Sequence, residues 1–329
     1  MVDTSTDKYY GGFLEFETGL RNTVYHKNAL ALSHGRACLA YILDQEKPRV
    51  VHAPFYTCGA MIDPIEERGI EIVYYNIDNA LDPVGLPESV GADELVIYIN
   101  YFGLKSNTME RLTNQYDNRL VADNCMAFYS RQYGNAYTYN SCRKFFGVPD
   151  GSYLYTPTPM ENEFKRYEGY RLDHLISRLR GDMDICYGQY LENEEAFDCN
   201  IYTMSALTER LMSTFDYDGV AERRHSNYLY IHERIGKYNR LQLLLEPMAV
   251  PHYYPLFVAE APDRRLLAKE RLFIPALWPD MLSREASGFD HEIDLAKNIL
   301  PLPVDQRYTS ADMECMLGIL KKYWTPTDI

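Results

Sequence analysis

Asn140-Ser141-Cys142-Arg143-Lys144-Phe145-Phe146-Gly147-Val148-Pro149-Asp150-Gly151-Ser152-Tyr153-Leu154 is the stretch on which the reading of this chain turns. Lys144 follows an arginine and precedes two phenylalanines, so a cation stands in apolar company. Val148 to Gly151 has the composition of a turn, and Ser152 to Tyr155 reads as a short strand. A lysine amine is a nucleophile only when neutral; apolar walls and a neighbouring cation, for which Arg143 is the candidate, favour that form. Taken alone, the stretch fits better a surface lysine whose stem lies along two core phenylalanines. Three other segments shift the balance.

The first is Ala29-Leu30-Ala31-Leu32-Ser33-His34-Gly35-Arg36-Ala37-Cys38-Leu39. An apolar strand meets a small-residue turn and then a helical pattern. Free N–H groups at such a helix start, with the helix dipole, suit a phosphate, although Ser33 as a plain N-cap explains the same residues. The second is the strand Arg49–Pro54 with its loop Phe55-Tyr56-Thr57-Cys58-Gly59. The third is Arg119-Leu120-Val121-Ala122-Asp123-Asn124, a buried strand that stops at a carboxylate.

Between and beyond these, strands at 70–78 and 94–100 alternate with helices at 60–68 and 107–116. Near-continuous apolar strands alternating with helices predict an α/β fold, a mostly parallel sheet covered on both faces. Ligands of such sheets bind beyond the carboxyl ends of the strands, where Ser33, Thr57, Asn100 and Asp123 fall. Residues 160–193 and 205–212 read as helical, and 218–235 as a long helix linking two domains, 1–235 and 236–329. In the second, strands at 252–259 and 272–276, an extended piece at 300–303 and helices at 263–270, 290–299 and 310–324 predict a small α+β unit.

Composition narrows the function. The chain has 329 residues, 46% of them hydrophobic, which is ample for a core. A net charge of −14 without basic clusters argues against nucleic acid and anionic membranes as partners. Seven scattered cysteines without a CxxC pair predict reduced thiols and a cytoplasmic setting. Met1 to Lys8 lacks the apolar core of a signal peptide, and no apolar run reaches membrane-spanning length.

The order and spacing of these segments resemble the DegT/DnrJ/EryC1/StrS family, PLP-dependent sugar aminotransferases of fold type I, over nearly the whole chain. Ser33-His34-Gly35-Arg36-Ala37-Cys38-Leu39 is similar to the family's phosphate-binding S-G-x-x-A-L, and Pro54 to Ala60 to its P-x-Y-T-x-x-A. Ala122-Asp123-Asn124-Cys125 is similar to E-D-x-A, Lys144 with Pro149-Asp150-Gly151-Ser152 to its lysine and glycine-rich turn, and Leu300 to Asp305 to its L-P-x-H piece.

The resemblance implies pyridoxal 5′-phosphate (PLP) as cofactor. Lys144 would be its covalent anchor and proton carrier, and Asp123 the partner of its ring nitrogen. The cofactor would be bound by Gly35, Arg36 and Ala37 at the helix start, with Cys58 at the ring and the Tyr139 hydroxyl, or Ser141, at the phosphate. It implies a homodimer with the site at the interface, for which Arg224 and Asn227 are the candidates to reach across. It implies amino transfer from an amino acid such as glutamate to a nucleotide-linked keto-sugar, for polysaccharide or glycoside synthesis.

The chain departs from the pattern at four places. Met126 stands where the family has Gln or His, Cys58 where it has a ring-stacking aromatic, Ala122 where it has Glu and Tyr139 where it has Ser. Asn100 or Tyr129 is the candidate to replace the first, Tyr56 or Tyr101 the second. These losses leave open a relative with other PLP chemistry, such as a dehydratase, or a non-catalytic descendant.

Overall fold

The computed structural model describes residues 23–285 and 287–325. The reading of Met1–Lys8 and most of the irregular lead-in before Asn28 lie outside the described residues. One layer is an eight-stranded sheet in the order β1-β8-β7-β6-β5-β2-β3-β4. Its strands are β1 (Leu30–Leu32), β2 (Val50–Pro54), β3 (Glu71–Ile77), β4 (Pro83–Val84), β5 (Glu94–Ile99), β6 (Leu120–Asn124), β7 (Tyr137–Asn140) and β8 (Ser152–Tyr155). From β3 through β2, β5 and β6 to β7 every pairing is parallel, while β8, β1 and β4 are antiparallel to their neighbours. The predicted mostly parallel sheet is therefore what forms. Its middle is buried on both faces, which is why Leu95–Ile99 and Leu120–Ala122 carry no polar alternation.

Helix α1 (Gly35–Glu46) buries an unbroken run from Ala37 to Leu43, so it is packed all round rather than on one stripe. α2 (Gly59–Glu66) and α3 (Ser106–Tyr116) follow β2 and β5. The stretch expected to be helical over 160–193 is helical only in its second half, as α4 (Asp173–Arg180) and α5 (Met183–Glu195). Gly181, at φ 87°, ends α4 in the left-handed conformation that glycine adopts without strain. α6 (Ala206–Met212) and α7 (Tyr217–Ile235) lie where expected.

In the C-terminal part, β9 (Tyr253–Phe257) and β10 (Ile299–Pro303) pair antiparallel beside α8 (Arg264–Lys269), α9 (Asp290–Asn298) and α10 (Ser310–Tyr323). α10 opens with a reciprocal capping box between Thr309 and Asp312. The strand expected over Leu272–Ala276 is absent; Pro275 and the nearby Pro279 have no N–H to give a ladder.

The C-terminal part is docked firmly on the sheet. Phe289 stacks on Phe55 at 4.0 Å and Trp278 packs on Tyr56 at 5.0 Å. The fully buried Glu292 of α9 accepts from the backbone N–H of Ile77 at 2.6 Å. Among the described residues no helix is long and apolar enough to cross a membrane.

Candidate active site

The lysine-bearing loop joins two antiparallel strands, β7 and β8, and folds back on itself. Cys142 N–H donates to Gly151 O at 3.0 Å, closing the loop. Gly151 has φ +112°, and a Cβ there would meet Thr208 at 2.9 Å and Cys142 Sγ at 3.1 Å, so this position has room only for glycine. Asp150, read from sequence as a turn residue, is fully buried. Its carboxylate accepts from Ser205 N–H at 2.8 Å, from Ser205 Oγ at 2.6 Å and from the Thr208 hydroxyl, tying the loop to the start of α6.

The same loop touches the start of α1, because Gly151 N–H donates to Ser33 O at 2.5 Å. The N-cap of α1 is His34 rather than Ser33: its Nδ1 accepts from Ala37 N–H at 3.1 Å. That bond leaves the neutral ring's proton on Nε2, as a donor. Both His34 Nε2 and Ser33 Oγ are buried without a hydrogen-bond partner. Burial holds His34 neutral, with its pKa down at about 3, and the nearby Arg36 and Arg143 cations push the same way. The helix start thus holds two buried polar groups without a partner among the described residues, with Arg36 and Arg143 nearby. Of the expected main-chain donors, Ala37 N–H is taken by His34, while Gly35 and Arg36 begin the helix.

Asp123 is the penultimate residue of β6, and Tyr139 is its direct partner on β7. Asp123 Oδ2 accepts from the Tyr139 hydroxyl at 2.9 Å, and Oδ1 accepts from Cys125 N–H at 2.7 Å. Tyr139 was expected at the phosphate; its hydroxyl is instead committed to Asp123. Cys125 Sγ lies 3.1 Å from where a Cβ on Gly35 would stand, so the sulfur fills the space between the helix start and the carboxylate.

Lys144 faces this group. Burial pulls its pKa down, but Cys125, Cys58 and the Asp123 carboxylate outweigh that, and the ammonium is held above the ordinary lysine value. The expectation of a neutral Lys144 kept so by Arg143 is overturned: Arg143 pairs with Glu194 and lies over the ring of Phe197 at 4.7 Å. Lys144, Asp123, Cys58 and Cys125 thus share one electrostatic neighbourhood.

The other guesses separate. Asn100 accepts from Lys105 N–H at 2.8 Å and donates to Tyr133 at 3.2 Å. Tyr129 donates to Tyr217 O at 2.8 Å. Thr57 donates to Met61 Sδ at 3.3 Å, and Met126 is buried. Tyr101 donates to Tyr56 O at 2.8 Å, and Tyr56 packs on Trp278. The rings around Lys144 come instead from segments that no motif marked: Tyr190 of α5, Tyr253 of β9 and His252 just before it. Arg224 and Asn227 point inward. Asn227 donates to the carbonyls of Val304 at 3.2 Å and Tyr308 at 3.0 Å, within its own chain.

A helix start, a lysine and a carboxylate gathered at the carboxyl edge of a largely parallel sheet define an α/β fold of the fold type I class. No family model and no curated protein sequence matches this chain. Solved structures do. A DegT DnrJ EryC1 StrS aminotransferase from Brucella abortus superposes with a TM-score of 0.60 at 16% identity, over 89% of this chain and 85% of that one. Spr1654 from Streptococcus pneumoniae, solved in a PLP form, gives 0.61 at 14% identity, over 92% and 89%. The dehydratase ColD with bound GDP-perosamine gives 0.62 at 13%, over 89% and 88%. The chain therefore has the fold of the DegT/DnrJ/EryC1/StrS sugar aminotransferases.

Proposed function

We propose that this protein is a PLP-dependent aminotransferase that moves an amino group from an amino acid, glutamate by preference, to a nucleotide-linked keto-sugar. The observation that carries the reading is the gathering of Lys144, Asp123 and Cys125 beside Gly35 at the start of α1. The residues present fit the cofactor: the unpartnered Ser33 Oγ and His34 Nε2 are buried polar groups that a phosphate would satisfy. They would hold it with the N–H groups of Gly35 and Arg36, and Asp123 would hold the ring nitrogen.

When bound, PLP supplies an aldehyde for covalent capture of amines and a ring that accepts electrons from the bond being broken. Tyr139 and Cys125 N–H fix both oxygens of Asp123, so its charge is held in one direction. Lys144 would hold the cofactor through its deprotonated Nζ, and its free amine would carry a proton to and from the substrate carbon. Tyr190 and Tyr253 line its surroundings and exclude water.

A cleft of about 1110 Å³ adjoins Tyr253, between the α4–α5 hairpin and the C-terminal part. Arg178 and Arg271 line it beside Asp182, Asp184 and Asp312, with Arg307 paired to Asp305, and the two arginines are the cations that would meet the phosphates of a nucleotide-linked substrate. The reading also has the enzyme as a cytoplasmic homodimer: unpaired cysteines fit the first, and exposed Leu179, Ile185 and Tyr187 on the hairpin fit the second.

An absorption scan after adding PLP tests the reading. A visible band that Lys144→Ala abolishes is expected; no band with the wild-type protein leaves a non-catalytic binding protein. Glutamate should then bleach the band. A band that no common amino donor bleaches favours the dehydratase-type chemistry for which the likeness to ColD speaks.

A further inference from the structure

The backbone that carries Lys144 belongs to no strand or helix. Within the loop, Phe145 and Phe146 N–H both donate to Cys142 O, at 3.0 and 2.9 Å, and no ladder fixes their direction. The fixing comes from two distant side chains. Arg224, in the middle of α7, has 2% of its surface exposed. Its Nη2 donates to Phe145 O at 3.4 Å, its Nη1 to Pro251 O at 3.3 Å and His252 O at 3.1 Å, and its Nε to Gln306 Oε1 at 3.0 Å. Gln306 in turn donates from Nε2 to the same Phe145 O at 2.7 Å. The Arg224 guanidinium also lies over the Phe145 ring at 4.4 Å, and the His252 ring stacks on that ring at 5.4 Å.

Among the described residues no carboxylate hydrogen-bonds Arg224; the nearby Asp305 is held by Arg307. A buried cation satisfied only by carbonyls and an amide costs desolvation free energy, and as a staple an apolar side chain would serve as well. Burial accordingly lowers the Arg224 pKa to about 10. What the guanidinium does that an apolar group cannot is bridge three carbonyls, one next to the lysine and two on the approach to β9.

We infer that Arg224 and Gln306 are positioning residues that set the direction of Lys144 toward Asp123 by clamping the carbonyl of Phe145. This rests on the proposed function for its consequence, but not for its test. Without the clamp, the 145–146 peptide, which carries Phe145 O, keeps only its N–H bond to Cys142 O and can turn, taking Lys144 with it. The Lys144 ammonium then leaves the Cys125, Cys58 and Asp123 neighbourhood and titrates nearer to an ordinary lysine.

The experiment is competitive labelling of Lys144 with an amine-reactive reagent across pH, read by peptide mass spectrometry on protein without added PLP. Arg224→Met should move the Lys144 titration midpoint down toward the ordinary lysine value. Gln306→Ala, at a half-buried position, should do so less. Arg240→Met is the staple control: Arg240 donates to Val258 O at 3.3 Å and lies over Phe257 at 4.2 Å without touching the lysine loop, so its midpoint should stay. In a second arm, the rate of visible-band formation with PLP should fall roughly 10- to 100-fold in Arg224→Met and recover only partly in Arg224→Lys. Midpoints equal to wild type in both folded clamp variants overturn the inference, as does an equal shift in Arg240→Met. If Arg224→Met does not fold, Gln306→Ala and Arg224→Lys carry the same two outcomes. If wild type captures no PLP, the functional reading fails while the labelling arm still decides the clamp.

Discussion

The hydroxyl of Tyr139 meets Oδ2 of Asp123 at 2.9 Å, straight across a parallel strand pair. The relationship makes a residue that replaces a smaller hydroxyl into the support of the site's acid. It also explains why Tyr139 lies under Gly35: its ring is 3.6 Å from a Cβ placed there, and it fills the floor between the helix start and the carboxylate.

Tyr139→Phe should keep the fold and lose one hydrogen bond to a charged group. The expected cost is about 1–3 kcal/mol in chemical denaturation, since the carboxylate side stays buried. With one oxygen no longer held, PLP should bind more weakly, seen as a rightward shift in a titration of the visible band. An unchanged titration with unchanged stability would show that the bond does nothing for Asp123.

Much of this arrangement was readable from sequence, for a physical reason. The apolar runs at β5 and β6 have no polar alternation because helices cover both faces, and that alone implies a parallel sheet. Asp123 stood out at the end of such a run, and Lys144 as a cation in apolar company just before a turn. The strand β7 was missed: Tyr-Thr-Tyr-Asn has neither an apolar run nor alternation, and it is buried through its hydroxyl and amide bonds. The partner of Asp123 was therefore missed with it. Tyr190, His252 and Tyr253 were illegible, and Arg224 was given the wrong role, for another reason: they reach the lysine by tertiary packing of α5, α7 and β9, which no local spacing encodes. Arg143 misled because a neighbour in sequence need not be a neighbour in space.

Acid should unfold the protein through buried histidines, His26, His34, His174 and His252, all held below the ordinary value chiefly by burial. Burial holds His26 at about 4 and His34 at about 3, both below the ordinary 6.5. The unfolded chain takes up these protons first, so it binds more protons than the folded one between those limits, and stability falls as pH drops through the window. Each histidine contributes a slope of up to about 1.4 kcal/mol per pH unit from about pH 6 down to its folded value. His34 has a further consequence: its Nδ1 accepts the Ala37 N–H only when unprotonated, so acid also removes the cap of α1. Denaturant midpoints at pH 7, 6, 5 and 4 should show the loss, and His34→Asn, which keeps a capping acceptor, should flatten the slope by the share of one histidine. A slope unchanged in that variant would assign the acid sensitivity elsewhere.

Gly35 offers the most local test of the site. Alanine at the first turn of a helix is ordinarily stabilising relative to glycine by up to about 1 kcal/mol. Here the added Cβ would stand 3.1 Å from Cys125 Sγ, closer than sulfur and carbon pack comfortably, and the sulfur must give way. Asp123 and Lys144 flank that sulfur, so it has little room except into the space where the cofactor would lie. Gly35→Ala should therefore leave thermal stability within about 1 kcal/mol of wild type while weakening PLP binding at least tenfold by titration of the visible band. Cys125→Ala, which removes the obstructing atom, should restore binding in the double variant to within about threefold of Cys125→Ala alone. The non-additivity is the diagnostic, since residues in contact couple and distant ones do not. Additive losses in the double variant would mean that Gly35 matters only as backbone and that Cys125 does not border the cofactor's space.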